Sequence, residues 1–490
     1  MHRYLLILLL SIPMASLAAD AGASAEGSAG TSADGGAGAA ASQRGPLRLT
    51  MKRAVEIATS PEGNTYIQLS DENVKQAKSR TTEARSAFLP DIEAQAGQTT
   101  AMKSLAALGL DLATDQTLLG AENKLTGSLA PIEKTLLNEV ISSIPRVIGP
   151  FTSVDVRVRA AQDLLDFSNI RRYQASRAAM RAIKQDRNNT GDTVSATVAK
   201  AYLNALRADA DEDAHKSYVA LAEADLKAAE NQKAAGSGTG LDVTRAKVQL
   251  SNENQHLLAA QNDRTKSYLQ LLRAMGMNLT TELELADKLS FIPSDPVTVE
   301  QAESEATKNR PDFKAQKERE SAAHLNANSV AAERLPNLVA FADYGTTGTN
   351  GSIVSLLPTR DYGFALRVPI FDGGRRDARR AEAASQFRQE RTRTNDLREQ
   401  MELDIRTALD TLHSSEAQYK VAEEARSLAD SQLTQARRRY ASGVASNLEV
   451  TDSQTQLERA RDSSIDALFA YNVARVDLAK AMGNLQSVIQ

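Results

Sequence analysis

The chain has 490 residues, a formal net charge of −4, 24% charged and 4% aromatic residues, and neither Trp nor Cys. So few aromatics argue against a thick globular core, where aromatic side chains dominate burial. The near-balanced charge gives no footing for nucleic acid. Abundant Ala, Leu, Gln, Arg and Glu is instead the composition of long helices and coiled coils.

Residues 1–18 read as a secretory signal. His2 and Arg3 give a short basic start, and Leu5 to Ile12 an apolar run too short to span a bilayer. Ser16 and Ala18 are the small residues of a cleavage site after Ala18, and with no Cys following, the mature N-terminus takes no lipid on sulfur. Residues 19–45, nearly all Ala, Gly, Ser, Asp and Glu, predict a disordered tail. No later segment holds 18 consecutive apolar residues, so an exported chain of this kind is periplasmic, secreted or an outer-membrane β-barrel.

Residues 48–88 predict a leading helical segment and residues 91–101 a strand after Pro90. The stretch 103–147 is unusually apolar, with Leu105, Leu108, Leu110 and Leu112 early and Leu136, Leu137, Val140 and Ile141 late. It reads as a helical loop that packs on itself. Val154 to Arg159 alternates strictly, as a half-buried strand does. Proline is absent between Pro150 and Pro293 and again after Pro369. Residues 167–235, with Gly191 as their one glycine, and 375–442, with none, therefore predict two helices of roughly 100 Å each. Both stop at glycine turns, Gly236-Ser237-Gly238-Thr239-Gly240 and Ser442-Gly443-Val444. A return helix follows each, ending near Gly276 and near Gly483, which gives two antiparallel helical hairpins. Residues 277–297, with Pro293 and Pro296, read as an irregular connection. Residues 298–334 predict a second leading segment, expected to stack on the helix ending near Gly276, while 48–88 stacks on the helix ending near Gly483. Residues 337–349 and the alternating run from Tyr362 to Phe371 complete four strands.

The chain is duplicated. Leu241-Asp242-Val243, Gln249-Leu250 and Ala274-Met275-Gly276 recur about 207 positions later as Leu448-Glu449-Val450, Gln456-Leu457 and Ala481-Met482-Gly483. Thr50, Ala54, Ala58 and Leu89-Pro90 recur as Thr298, Ala302, Ala306 and Leu335-Pro336. The copies are residues 46–292 and 293–490, each with a leading segment, a strand pair and a hairpin. Four strands cannot close a barrel, and open edges are not tolerated in lipid. If the strands meet a membrane, several chains share one barrel, and three chains give twelve strands. The five His (His2, His215, His256, His324 and His413) form no i,i+4 pair and have no Cys partners, so neither a metal nor a cofactor is expected. No Ser/His/Asp arrangement stands out, and the chain does not read as an enzyme.

Leu366-Arg367-Val368-Pro369-Ile370-Phe371-Asp372-Gly373-Gly374-Arg375 resembles the last strand-to-helix corner of the TolC-type outer-membrane efflux family. Asn309-Arg310-Pro311-Asp312 and the turn Tyr440…Gly443…Leu448-Glu449-Val450 are similar to further motifs of that family, and the likeness covers roughly residues 48–484. It implies a mainly α fold with a membrane part: a homotrimer with a twelve-stranded β-barrel in outer-membrane lipid, continued by a twelve-helix periplasmic α-barrel. It implies a passive exit duct for tripartite efflux or type I secretion, working with a periplasmic adaptor (membrane fusion protein) and an inner-membrane transporter. A periplasmic helical-hairpin adaptor or scaffold without a barrel is the alternative.

The resemblance also supplies site residues. Asp242, Tyr440, Glu449 and Asp452 match positions of a periplasmic gate. Gly236, Gly238, Gly240 and Gly443 form the tip turns where an adaptor docks, and Pro369, Phe371, Asp372, Gly373 and Gly374 form the strand-to-helix corner. Glu449 and Asp452 would make rings of carboxylates in a trimer, or else sit on a solvated helix face. Ala445 stands where the best-studied relative carries a gate arginine, so any lock here is weaker or built differently.

Overall fold

A computed structural model describes residues 47–104, 147–236, 238–349 and 357–489. The signal sequence, the tail and most of the 103–147 insert lie outside these residues. The first copy runs β1 (Leu47–Leu49), α1 (Met51–Thr59), α2 (Thr65–Ser86), β2 (Asp91–Ser104), β3 (Val147–Leu165), α3 (Phe167–Ala234) and α4 (Gly240–Met275). The second runs β4 (Leu283–Leu285), α5 (Val299–Asn309), α6 (Pro311–Ala332), β5 (Asn337–Thr349), β6 (Leu357–Arg367), α7 (Arg375–Ala441), α8 (Asn447–Met482) and α9 (Gln486–Ile489).

The proline-free stretches are the long helices. α3 has 68 residues and α7 has 67, each returning through a helix of 36 residues. α3 starts where Asp166 Oδ1 accepts from the backbone N–H of Ser168 (2.7 Å) and Asn169 (3.1 Å), satisfying two of the four orphan donors of a helix N-terminus. Its buried face is rich in alanine (Ala175, Ala178, Ala182, Ala199, Ala205), so neighbouring backbones approach closely. α3 packs on α2 and α6 at its strand-side end and on α4 and α8 beyond; α7 packs on α6 and then α8.

Two expectations are corrected. The leading segments are each two helices. Pro61 and Gly63 break the first, and Pro311 pushes Arg310 to φ −57°, ψ 119°, outside the helical region, in the second. The stacking is also the reverse of that expected. Gly276, at φ 76°, lies so close to the first leading segment that a Cβ would sit 2.9 Å from the Gly63 carbonyl oxygen. Asn64 Nδ2 donates to the Ala274 carbonyl at 2.8 Å, capping the end of α4. Gly483, at φ 70°, abuts Arg310 in the same way, 2.7 Å from a built Cβ to the backbone nitrogen. Each return helix therefore stacks on the leading segment of its own copy. The reason is steric: only glycine fits a left-handed cap with another backbone that near.

The connection 277–297 is also less irregular than expected, because it contains β4, which pairs in parallel with β1. This small sheet, α1, α9 and the middle of α3 enclose a core around Leu49, Tyr202, Leu271 and Met275. The buried Tyr202 hydroxyl lies 2.8 Å from Asp287 Oδ2 and 2.9 Å from the Leu49 carbonyl oxygen, a polar clamp across both strands' ends.

The four long strands form one antiparallel sheet in the order β2-β3-β5-β6, leaving β2 and β6 as edges. Strict alternation gives it two different faces. Ile92, Val156, Val158, Tyr344, Tyr362, Phe364 and Leu366 share one face by register, and all are exposed. Tyr362 is 78% and Phe364 74% exposed. Leaving such side chains in water forfeits roughly 1.5–3 kcal/mol each, so this face is built for apolar cover. The other face carries Asp155, Arg157, Arg159 and Asp343, joined by ion pairs of 2.6 Å (Asp155–Arg157) and 2.9 Å (Arg159–Asp343). Among the described residues no helix is long and apolar enough to cross a membrane.

The helical tips as candidate functional site

At the first tip α3 ends at Ala234, and the chain turns through Gly236 at φ 77°, a left-handed conformation that costs glycine little. Gly238 donates its N–H to the Gln232 carbonyl at 3.0 Å, and a Cβ there would sit 3.0 Å from Gln232 Cβ. Gly240 opens α4 behind a capping box. Thr239 Oγ1 accepts from the Asp242 N–H at 3.2 Å, and Asp242 Oδ2 accepts from the Thr239 N–H (3.1 Å) and hydroxyl (2.6 Å). These two donations hold the Asp242 carboxyl below its ordinary range. Asp242 thus fastens its own turn.

At the second tip Gly443 takes φ 76°, and Val444 donates back to the Arg439 carbonyl at 3.0 Å. Ser446 is the N-cap of α8 yet makes no side-chain cap bond. Glu449, the counterpart of Asp242, is ion-paired with Arg439 across the turn instead. Asp452 is exposed and makes no ion pair among the described residues. Tyr440 is half-buried against the small core of Ala429, Leu433, Ala436, Val450 and Leu457. Burial first, then the carboxylates of Asp242 and Asp225, raise its phenol above the ordinary value. Tyr440 is therefore within electrostatic reach of Asp242 across the two tips.

Sequence reasoning missed a residue that joins the hairpins near their tips. Asp225, on α3, accepts from Arg437 Nη2 of α7 at 2.9 Å, and its other oxygen accepts from the buried Gln454 Nε2 of α8. Arg437-Arg438-Arg439 looks in sequence like a basic helix end favoured by the macrodipole. The structure separates the run: Arg437 crosses to the first copy, whereas Arg439 stays within the second tip.

Farther from the tips, His215 of α3 and His256 of α4 stack at 5.9 Å between centroids. Glu253 of α4 and Asp462 of α8 lie within electrostatic reach of both rings, and Glu253 is only 3% exposed. Burial, then the charges of Glu253 and Asp462, push the Glu458 carboxyl of α8 up to about 7. Among the described residues no group of three or more His, Cys, Asp or Glu has the geometry to hold a metal ion.

At the strand-to-helix corner Gly373 and Gly374 are left-handed, at φ 70° and 85°. Asp372 Oδ2 accepts from the Arg376 N–H at 3.1 Å and from Arg376 Nη1 at 3.0 Å, standing in for the missing side chain at the N-cap of α7. Pro369 follows the last strand, and Phe371 beside it is 88% exposed.

Known proteins share this architecture. The crystal structure of VceC from Vibrio cholerae superposes with a TM-score of 0.69 over 88% of this chain and 96% of that one, at 17% identity. CmeC from Campylobacter jejuni superposes with a TM-score of 0.70 over 89% and 86%, at 16% identity. Among curated relatives, the pyoverdine export outer membrane protein OpmQ of Pseudomonas putida is 24% identical over 86% of each chain. Its Pseudomonas aeruginosa namesake is 25% identical over 64% of this chain and 65% of that one. The outer membrane efflux protein family matches residues 148–277 and 303–484, well over half of the sequence and both hairpins. Channels of this family are conduits, not enzymes, and on that match the chain belongs to the outer membrane efflux protein family.

Proposed function

We propose that three copies of the chain form an exit duct across the outer membrane and periplasm. The observation that carries this reading is the sheet: four strands, two open edges, and one exposed apolar face directly continuous with helices of roughly 100 Å. Pairing β6 of one copy with β2 of the next removes every edge at twelve strands, turns the apolar face to outer-membrane lipid and leaves the charged face inside. The hairpins then form a twelve-helix α-barrel in the periplasm. The signal sequence delivers the chain there and is removed after Ala18. A periplasmic adaptor engages the glycine turns Gly236–Gly240 and Gly443, and an inner-membrane transporter of a tripartite efflux or type I secretion system supplies the energy and selects the cargo. The pyoverdine export named for two relatives is one instance of such traffic.

The tips act as the gate. Asp242 fixes the first turn within electrostatic reach of Tyr440, the Arg439–Glu449 pair takes the place of the arginine lacking at Ala445, and Asp452 with Glu449 lines the constriction.

Fractionation tests the reading: the protein stays with the outer membrane as an SDS-resistant trimer and conducts in planar bilayers. Recovery as a soluble periplasmic monomer would favour the adaptor alternative. For the gate, Glu449→Ala with Asp452→Ala lowers cation preference, and unchanged selectivity removes the acid ring.

A further inference from the structure

Where the sheet meets the helices lies a cavity of about 440 Å³. Its charged lining is five arginines, Arg172, Arg367, Arg375, Arg376 and Arg379, against two carboxylates, Asp166 and Glu333. Both carboxylates are already engaged. Asp166 caps α3, and Glu333 faces Arg379 at 2.9 Å and Arg172 at 3.9 Å. Arg376 pairs with Asp372 at 3.0 Å, whereas Arg367 and Arg375 make no ion pair among the described residues. The first turn of α7 adds its partial positive charge to the same place.

The cavity opens on the charged face of the sheet. Arg367 and Asn337 are opposite one another in the β5–β6 register, and both line it. They sit an even number of residues from Asp361 and Asp343, which are opposite one another on that face. The face itself is acidic, with Asp91, Glu93, Asp155, Asp343 and Asp361 against Arg157 and Arg159. Charge therefore reverses sign at the corner.

We propose that these arginines form a cationic collar inside the duct that binds polyvalent oxyanions, the carboxylate or phosphate groups of a passing solute. The proposal rests on the duct reading, which turns this face to the lumen. A planar guanidinium grips such groups through two parallel N–H bonds, and low-dielectric walls concentrate counter-ions at a ring of like charge. The two unpaired arginines have the least competition for a ligand.

The test uses the full-length trimer in planar bilayers at about 0.1 M salt, where the screening length is about 10 Å. Inorganic tripolyphosphate and citrate are added separately. The wild type is blocked by both, and the half-blocking concentration rises at least tenfold in Arg367→Gln/Arg375→Gln. Arg367→Lys/Arg375→Lys, which keeps the charge and loses the fork, falls between. Should the double variant fail to assemble, Arg375→Gln alone must still raise the half-blocking concentration measurably. Equal block of wild type and variant, or a conducting wild type that neither anion blocks, overturns the collar while leaving the duct intact. A trimer that does not conduct overturns the duct reading, and the collar with it.

Discussion

The two helical tips share a backbone plan and differ in what their charges do. The first closes on itself: Thr239 and Asp242 satisfy one another, and three glycines make the turn. The second reaches outward: Ser446 caps nothing, Glu449 takes Arg439, and Arg437 and Gln454 cross to Asp225 of the first copy. Both copies have a left-handed glycine in the turn, and the side chains that reach from one tip to the other copy belong to the second. One tip is a fixed post and the other a latch.

The largest effect follows from removing the bridge between them. Asp225→Ala strands Arg437, whose side chain is 36% exposed at this contact, and leaves the amide of Gln454, only 4% exposed, without its acceptor. An unsatisfied buried polar group costs about 1–3 kcal/mol. The predicted outcome is faster amide hydrogen exchange in the last turns of α7 and a several-fold rise in open-channel events. Asp242→Ala, confined to its own cap, should do less; if it opens the channel as much as Asp225→Ala, the distinction between post and latch is wrong.

A second contrast lies where the return helices' side chains meet. At the repeat offset of about 207, Glu458 corresponds to Ser251, Glu253 to Ala460, His215 to Ala422 and His256 to Ser463. Every member of this cluster has a neutral mate in the other copy. Its acids repel and are poorly solvated, so the folded state binds a proton that the unfolded chain releases. Glu458 is pushed up from 4.5 to about 7, and Glu253 and Asp462 are raised as well. Because the native state binds more protons in this window, stability falls as pH rises from about 4.5 to about 7, and the cost is complete above it. The thermal midpoint of the protein should therefore drop between pH 5 and pH 8, and Glu458→Gln should flatten the slope. A slope identical to that of the wild type would take Glu458 out of the account.

How much of this was legible beforehand follows from the range of the interactions. The long helices, the glycine turns and the alternating strands are local patterns, so Pro150, Pro293 and Pro369, Gly443 and Val154 to Arg159 announced them. The stacking of α4 on α2 was not legible, because it depends on Gly276 meeting Gly63 across more than 200 residues, and nothing in either glycine names its partner. The same is true of Asp225. It is one acid among many on a polar helix, and only the crossing of α3 with α7 and α8 gives it Arg437 and Gln454. Asp242, Tyr440 and Glu449 stand out by likeness to a family, but the contacts of Asp242 with Thr239 and of Glu449 with Arg439 appear only in the structure.

The smallest effect tests the contrast most directly, at two residues of nearly the same chemistry. Thr239 and Ser446 both stand at the N-cap of a return helix, where a hydroxyl normally satisfies an orphan N–H. Thr239 does so within a reciprocal box, and Thr239→Ala should cost about 1 kcal/mol and fray the first turn of α4. Ser446 makes no such bond, and its carbonyl, which any residue supplies, accepts from the Glu449 N–H at 3.1 Å. Ser446→Ala should leave local stability unchanged within a few tenths of a kcal/mol. Hydrogen exchange at Asp242 and Glu449, three residues into each cap, reads the difference. If both amides lose protection equally, the second tip is capped after all, and the contrast at the return-helix caps rests on the Arg439–Glu449 pair alone.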